Sequence, residues 1–379
     1  MNRRANRPLS MVMLITVLAI VLSSCATPAA TPSGQATSAP PVAQLKVGIS
    51  MSDFATERWK PESDLMKQLL EAKGYEVLVQ EANHDVKLQN DQIDNMVAQG
   101  VVGLIVVAED GDAAATAVDK AAAAGVKVIA YDRLIKTASI AAYLSFDNVE
   151  VGRAEADGVL KALDIDNWDV AGKGPVKLVK LGGSPTDNNA ILVRQGQDEV
   201  LQPYVDSGVI TIVADQWVDN WDAATALKIM ENILTAQANQ IDAVVASNDG
   251  TALGALQALK AQGLAGKVPI SGQDATADGC NSIVKGEQTV SVYKDIRLLA
   301  PKAVDLMDSL LKGQATDVKS FTLAELTNDP SKQGTVQAAF LEVVQVTKDN
   351  VFDLIVKSGF QKYDDVYRDI PEDQRPAKP

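Results

Sequence analysis

The chain has 379 residues, 35 of them Lys or Arg and 49 Asp or Glu, for a formal net charge of −14. A surface that acidic argues against nucleic acid and anionic lipid as partners. One histidine, His84, and two cysteines, Cys25 and Cys280, stand far apart in the sequence, so neither a zinc site nor another metal or cofactor is expected.

Residues 1–24 read as an address. Arg3, Arg4 and Arg7 precede an apolar run from Met11 to Leu22, and Ser23, Ser24 and Cys25 follow. A charged start, a short apolar stretch and small residues before the cut make a secretory signal. The run is shorter than the ~20 residues a membrane span needs. Leu22-Ser23-Ser24-Cys25 resembles the bacterial lipobox, which implies a thioether lipid on Cys25 and loss of residues 1–24. Three arginines would go with them, moving the net charge from −14 to −17. With Cys25 acylated, Cys280 has no partner for an intrachain disulfide. Residues 25–44, built after Cys25 from Ala, Thr, Pro, Ser, Gly, Gln and Val, cannot bury a core and read as a disordered tether.

The remaining ~330 residues suffice for one large or two medium domains. Strand-like runs recur: LKVGIS, YEVLVQ, VVGLIVV, VKVIAY, VKLVKLGG, VITIVA, IDAVVAS, KVPISG and TVSVYK. Helix-period segments lie between them, among them 60–73, 112–124, 222–236 and 250–263. Apolar strands without alternation are buried on both faces, and strand–helix alternation means parallel sheets. The number of strands predicts an α/β fold with two Rossmann-like lobes.

Parallel sheets place ligands beyond the carboxyl ends of their strands. In chain order those positions carry Arg58 and Trp59, then Asp132 and Arg133, then Asp187, Asn188 and Asn189. Trp217 and Trp221, Asn248 and Asp249, Gln273 and Asp274, and Lys294 follow. Asp accepts hydroxyl protons, Arg and Lys donate, Asn does both, and Trp offers a flat wall to C–H groups. The combination suits a sugar. Asp132 beside Arg133 reads as a hydroxyl clamp in which both groups stay charged. Blander roles compete: Arg58 as a surface residue at a helix start, Trp59 and Trp221 as core aromatics, Trp217 as structural. Asp147 and Asn148 suit a helix cap, Asn188 the first turn of the next helix, and Asp249 a cap or a support for its neighbours. His84 is expected to be exposed. DIDNWD at 164–169 lacks the oxygen ligand and glycine a calcium loop needs, and GGSP lacks a phosphate-loop pattern.

The motifs ERW, YDR, SFDN, GGSPTDNNA, DQWVDNW, ALKIMENIL, IDAVVASND, GLAGKVPISGQDA and TVSVYKDI resemble the periplasmic sugar-binding proteins of the ribose-binding type. Within that type the likeness is to the D-xylose-binding components of bacterial ABC importers, and it runs from Leu45 to about Tyr363. The resemblance implies two lobes joined by three hinge strands, crossing near Phe146-Asp147, near Lys294-Asp295 and around 338–341. The first lobe would comprise 45–146 plus 295–338, the second 147–294 plus 339–365, and 366–379 an acidic, solvated tail. Carried over by motif, the sugar contacts fall on Arg58, Trp59, Asp132 and Arg133 in the first lobe. In the second they fall on Asp187, Asn189, Trp221, Asn248 and Asp274, with Lys294 at a crossover. Segment 316–334 does not match and is expected to lie far from the contacts.

The implied function is capture of a monosaccharide, D-xylose first, and delivery to an importer's permease and ATPase. The protein would act as a monomer in the periplasm or on the outer face of the membrane, anchored through Cys25. Ribose, arabinose, glucose or galactose as ligand, or presentation of sugar to a membrane sensor, are the alternatives. A glycosidase would need two carboxyls set across one bond, one with a raised pKa. Here each carboxylate has a cation or amide neighbour in sequence, so no enzyme is expected. A repressor's sensor domain would need a DNA-binding helix pair where the signal stands.

Overall fold

Alternation of strand and helix from Lys46 onward builds two parallel sheets. The computed structural model describes residues 44–379; the signal, Cys25 and the tether up to residue 43 lie outside the described residues. The first stretch runs β1 (Lys46–Met51), α1 (Trp59–Ala72), β2 (Glu76–Glu81), α2 (Val86–Ala98), β3 (Val101–Val106) and α3 (Ala113–Ala123). It closes with β4 (Lys127–Tyr131) and β5 (Ala142–Phe146). The chain continues as α4 (Asn148–Leu163), α5 (Val170–Lys173), β6 (Val176–Gly182), α6 (Asn188–Asp206), β7 (Ile210–Trp217) and α7 (Ala223–Ala236). Next come β8 (Ala243–Ala246), α8 (Asp249–Ala261), α9 (Ala277–Val284) and β9 (Ser291–Tyr293). Last are α10 (Ile296–Leu311), β10 (Lys319–Thr322), α11 (Leu323–Thr327), β11 (Thr335–Leu341), β12 (Val344–Val346) and α12 (Tyr363–Val366).

The larger sheet has the order β10-β11-β5-β4-β3-β1-β2, parallel except for β10 against β11. Its central strands β1, β3, β4 and β5 are buried on both faces because helices cover both, while β2, β11 and β10 toward the edges are partly exposed. Leu104 and Val106 pack with Ile93, Met96 and Val118 of α2 and α3, while Ile105 packs with Met66, Leu70 and Met307 of α1 and α10. Each such fully buried side chain contributes about 1.5–3 kcal/mol. The smaller sheet, β7-β6-β8, is wholly parallel, and β9 pairs antiparallel with β12. Helices α4 and α6 cover one face and α7 and α8 the other. The first pair touch backbone to backbone: a Cβ on Gly152 would come within 1.9 Å of the Val193 carbonyl, and one on Gly196 within 1.9 Å of Val149 O. Only glycine fits there. Residues 44–379 form one compact unit.

Four departures from the sequence reading have physical reasons. KVPISG makes only an isolated bridge, Ile270 to Val244, because Pro269 has no N–H to give a ladder. Strand β11 pairs with β5 as far as Leu341–Phe146, and the next pairing is Val344–Tyr293. The third crossing is thus Glu342-Val343, beyond the expected 338–341. Segment 316–334 is not remote: it supplies β10 and α11, and the Leu326 carbonyl accepts a 2.8 Å bond from Asn188 Nδ2, between two expected contacts. The tail from 366 is not simply solvated. Val366 and Tyr367 are buried with Cys280, Ile283 and Ile355, and the Tyr363 hydroxyl donates to Pro376 O at 2.7 Å.

Candidate ligand-binding cleft

The loops after β1 and β4 make one wall. Arg58 precedes α1 with its side chain inside the protein, only 8% exposed and making no capping bond, and Trp59 opens the helix at 3%. One turn on, Glu62 accepts from Arg58 Nε and from the Tyr131 hydroxyl. Arg58 Nη1 then reaches Asp132 Oδ2 at 3.1 Å and Asp274 Oδ1 at 3.3 Å. The Trp59 ring lies between two guanidiniums, 4.4 Å from that of Arg58 and 5.5 Å from that of Arg133. Asp132 takes a left-handed φ of +60°, a conformation Asp tolerates better than most residues. Its carbonyl is pinned by the Ser145 hydroxyl (2.8 Å), the Tyr143 hydroxyl (3.0 Å) and Asn189 Nδ2 (3.1 Å). Arg133 donates to Ala108 O at 3.2 Å and lies 3.5 Å from Glu109. Burial alone would raise the Asp132 carboxyl, but Arg58, Lys294 and Arg133 outweigh it and hold the group below its usual range.

The loops after β6, β7 and β8, with the Gln273–Asp274 turn, make the other wall. Asp187 is the N-cap of α6: Oδ1 accepts the Asn189 N–H at 2.9 Å. Its Oδ2 faces Arg133 Nε at 3.0 Å and the Trp221 indole N–H at 3.2 Å. Burial raises this carboxyl against the pull of Arg133. Asn189 donates to Asp132 Oδ1 at 3.0 Å while its own oxygen takes Asn148 Nδ2 at 3.0 Å and the Tyr143 hydroxyl at 3.2 Å. Trp221, at φ +56°, packs on Gly183, where a Cβ would come within 2.2 Å of the indole ring. Asn248 caps α8 through its oxygen on Thr251 N–H at 2.8 Å, leaving its NH2 group for the cleft. Asp274 sits at φ +91° with its N–H on Val292 O at 2.8 Å. Lys294, 2% exposed, lies 5.7 Å from the Phe146 ring at the crossover after β9.

All ten residues expected at the contacts line one cavity, together with Thr56 and Gln273. Its volume is about 20 Å³, room for about one water, because the walls meet through Arg58–Asp274 and Arg133–Asp187. A second cavity of about 250 Å³ adjoins it, sharing Arg58, Trp221, Asn248 and Asp274. Arg58 Nη2, Trp59 Nε1 and Gln273 Oε1 are buried without hydrogen-bond partners.

Gln273 was passed over in sequence beside Asp274. The supports Glu62, Tyr131, Glu109 and Tyr143 also escaped notice, although Glu62 stands four residues after Arg58, a helix-face spacing that signals a pair. Asp249 is a support and Asn248 the cap: the Asp249 carboxylate takes Gln288, Ser291 and the Thr276 N–H. Asp147 caps α4, and Trp217 stacks under Arg194, 3.6 Å from ring to guanidinium. His84 corrects an expectation: its side chain is only 20% exposed and pairs with Glu109 and Asp53.

The chain matches the periplasmic binding protein domain over residues 47–315, and it belongs to that family. It is 44% identical over 319 residues to the D-xylose-binding periplasmic protein of Escherichia coli (strain K12), spanning 84% of this chain and 92% of that one. The protein of the same description from Haemophilus influenzae is 43% identical over 323 residues, 85% of this chain and 92% of the relative. Among solved structures, an ABC transporter solute-binding protein from Clostridium phytofermentans with bound β-D-glucose superposes with a TM-score of 0.76 at 32% identity. That match covers 85% of this chain and 99% of the other. The fold is the type I periplasmic binding protein fold, two α/β lobes with parallel sheets around a cleft.

Proposed function

We propose that this protein captures one monosaccharide, D-xylose first, between its two walls and hands it to the permease of an ABC importer. One observation carries the reading: Arg58, Trp59 and Gln273, each with a buried, unpartnered polar atom, line a cavity walled by three carboxylates, three cations and two indoles. Such atoms cost about 1–3 kcal/mol each unless something answers them, and a ring of hydroxyls answers donors and acceptors alike. The choice of xylose follows the relatives at 43–44% identity. The solved relative holding β-D-glucose favours a second reading in which hexoses also bind.

Binding without chemistry suits the carboxylates. Asp187, raised by burial, has one oxygen on Asn189 N–H and the other on Arg133 and Trp221, so it is not poised to donate a proton. The lobe limits we infer are 45–146 plus 295–341 and 147–294 plus 344–370. Lipidation of Cys25, a monomeric state and attachment to the outer face of a membrane complete the proposal. Among the described residues no helix is long and apolar enough to cross a membrane.

A melting-temperature panel tests the ligand class. A sugar at ~1,000 times its dissociation constant should add about 4 kcal/mol, and D-xylose should give the largest rise. A melting temperature indifferent to every sugar but raised by an amino acid or nucleotide would refute the reading.

A further inference from the structure

His84, the only histidine in the chain, sits behind the first wall. Its Nδ1 is 3.1 Å from Glu109 Oε2 and its Nε2 is 3.7 Å from Asp53 Oδ1. The same Glu109 oxygen is 3.5 Å from Arg133 Nη1, and Arg133 Nε is 3.0 Å from Asp187 on the opposite wall. One carboxylate oxygen is therefore shared between the imidazole and the arginine that reaches across the cleft. Asp53 also accepts the Thr56 N–H at 2.6 Å and the Ser52 hydroxyl at 2.8 Å. With both carboxylates already carrying donors, the group reads as a proton site.

We propose that His84 is a positioning residue that couples sugar capture to proton uptake: charged His84 occupies Glu109, which leaves Arg133 to Asp187 and the sugar. The proposal rests on the sugar-binding reading above.

The sign follows from the charges that closure brings near. Asp53, Glu109 and Arg133 share a lobe with His84 and stay beside it however the lobes move. Glu57 and Arg58, also of that lobe, line the larger cavity with it, and Asp85 on its own turn is engaged in capping α2. The opposite lobe adds Asp187 against Arg133, and Asp222 and Asp274 on the far side of the same cavity. Lys294 of the opposite lobe lines the smaller cavity and not the one that His84 lines, so the charges that closure brings toward the imidazole are acids and closing favours the imidazolium. In this closed arrangement the bond to Glu109 raises the imidazole above its usual range; burial opposes that, and the fields of Asp53 and Glu109 reinforce it against Arg133. A group whose closed-state pKa is the higher one gives its full contribution below the open-state pKa and loses it as pH rises through the closed-state value. Sugar affinity should therefore fall on going from mildly acid to mildly alkaline pH.

A single histidine makes the test direct. The His84 proton resonance of residues 44–379 is titrated with and without saturating D-xylose, and xylose affinity is measured from pH 5.5 to 8.5. The same is done for His84→Asn, a residue that tolerates the φ of +61° found here. The expected pKa is higher by at least about half a unit in the complex, and the wild-type affinity falls about threefold or more across the range. The variant's affinity should be flat. Equal pKa values with and without sugar, or the same pH slope in the variant, would overturn the proposal while leaving the sugar reading intact. A chain that binds no sugar at any pH would overturn both.

Discussion

On the first wall Arg58 and Arg133 are held from behind by buried carboxylates, Glu62 under one and Glu109 beside the other. On the second wall Asp187 and Asn248 are themselves the caps of α6 and α8, so the atoms that position them are backbone N–H groups. The first arrangement separates the group facing the cleft from the group that supports it. The second makes one side chain do both. Substitution should therefore separate affinity from stability on the first wall and confound them on the second, unless the replacement keeps the cap.

Asp187→Ala should have the largest effect. It removes a cap worth about 1 kcal/mol and leaves Arg133 and the Trp221 indole without their partner. Breaking a buried pair costs about 3–5 kcal/mol, so sugar affinity should fall more than about a hundredfold, with a lower melting temperature. Asp187→Asn keeps an acceptor for the cap and should recover the melting temperature but not the affinity. A fully stable alanine variant would contradict the double role.

Arg133→Ala and Asp132→Ala come next, each weakening xylose at least about tenfold in a protein that stays folded. Asp132→Asn should be milder, since Asn also tolerates the left-handed backbone. Unchanged affinity in both alanine variants, read by calorimetry, would mean the pair is no clamp.

Asn248→Ser separates the two duties at one residue. Serine caps about as well as asparagine, so stability should hold within about 0.5 kcal/mol, while loss of the NH2 group lowers affinity several-fold. The smallest effect belongs to Asn188→Ala, which loses the bond to Leu326 O. About 1 kcal/mol of stability should go, seen in denaturant midpoints, with little change in sugar affinity.

Much of this was legible in sequence because parallel sheets put function at strand ends. Every expected contact residue lies in the segment after a strand, from one residue on for Lys294 to eight for Trp59, or, like Asp274, follows the bridged KVPISG segment. What escaped was decided by distant packing or by backbone conformation. Nothing local marks the positive φ of Asp132, Trp221 or Asp274; for Asp249 the sequence left cap and support open, and the structure makes it the support, while the capping duty of Asn248 was not read because neighbouring Asp and Asn are equally good caps. His84 looked exposed since Asp53 and Glu109 come from other strands' loops. The tail was misjudged from its acids, although Val366 and Tyr367 bury against α9. Segment 316–334 was set aside because it did not match the family, and its place beside Asn188 depends on the bond from α6 to the Leu326 carbonyl of α11, a contact between residues 138 apart.

The most direct measurement is a calorimetric titration of residues 44–379 with D-xylose, beside Asp132→Ala, Asp187→Ala and a panel of ribose, arabinose, glucose and galactose. One xylose per chain, bound more tightly than the other sugars and weakened in both variants, is the predicted result. No heat with any sugar, or xylose binding untouched by either substitution, would contradict a sugar held between these two walls.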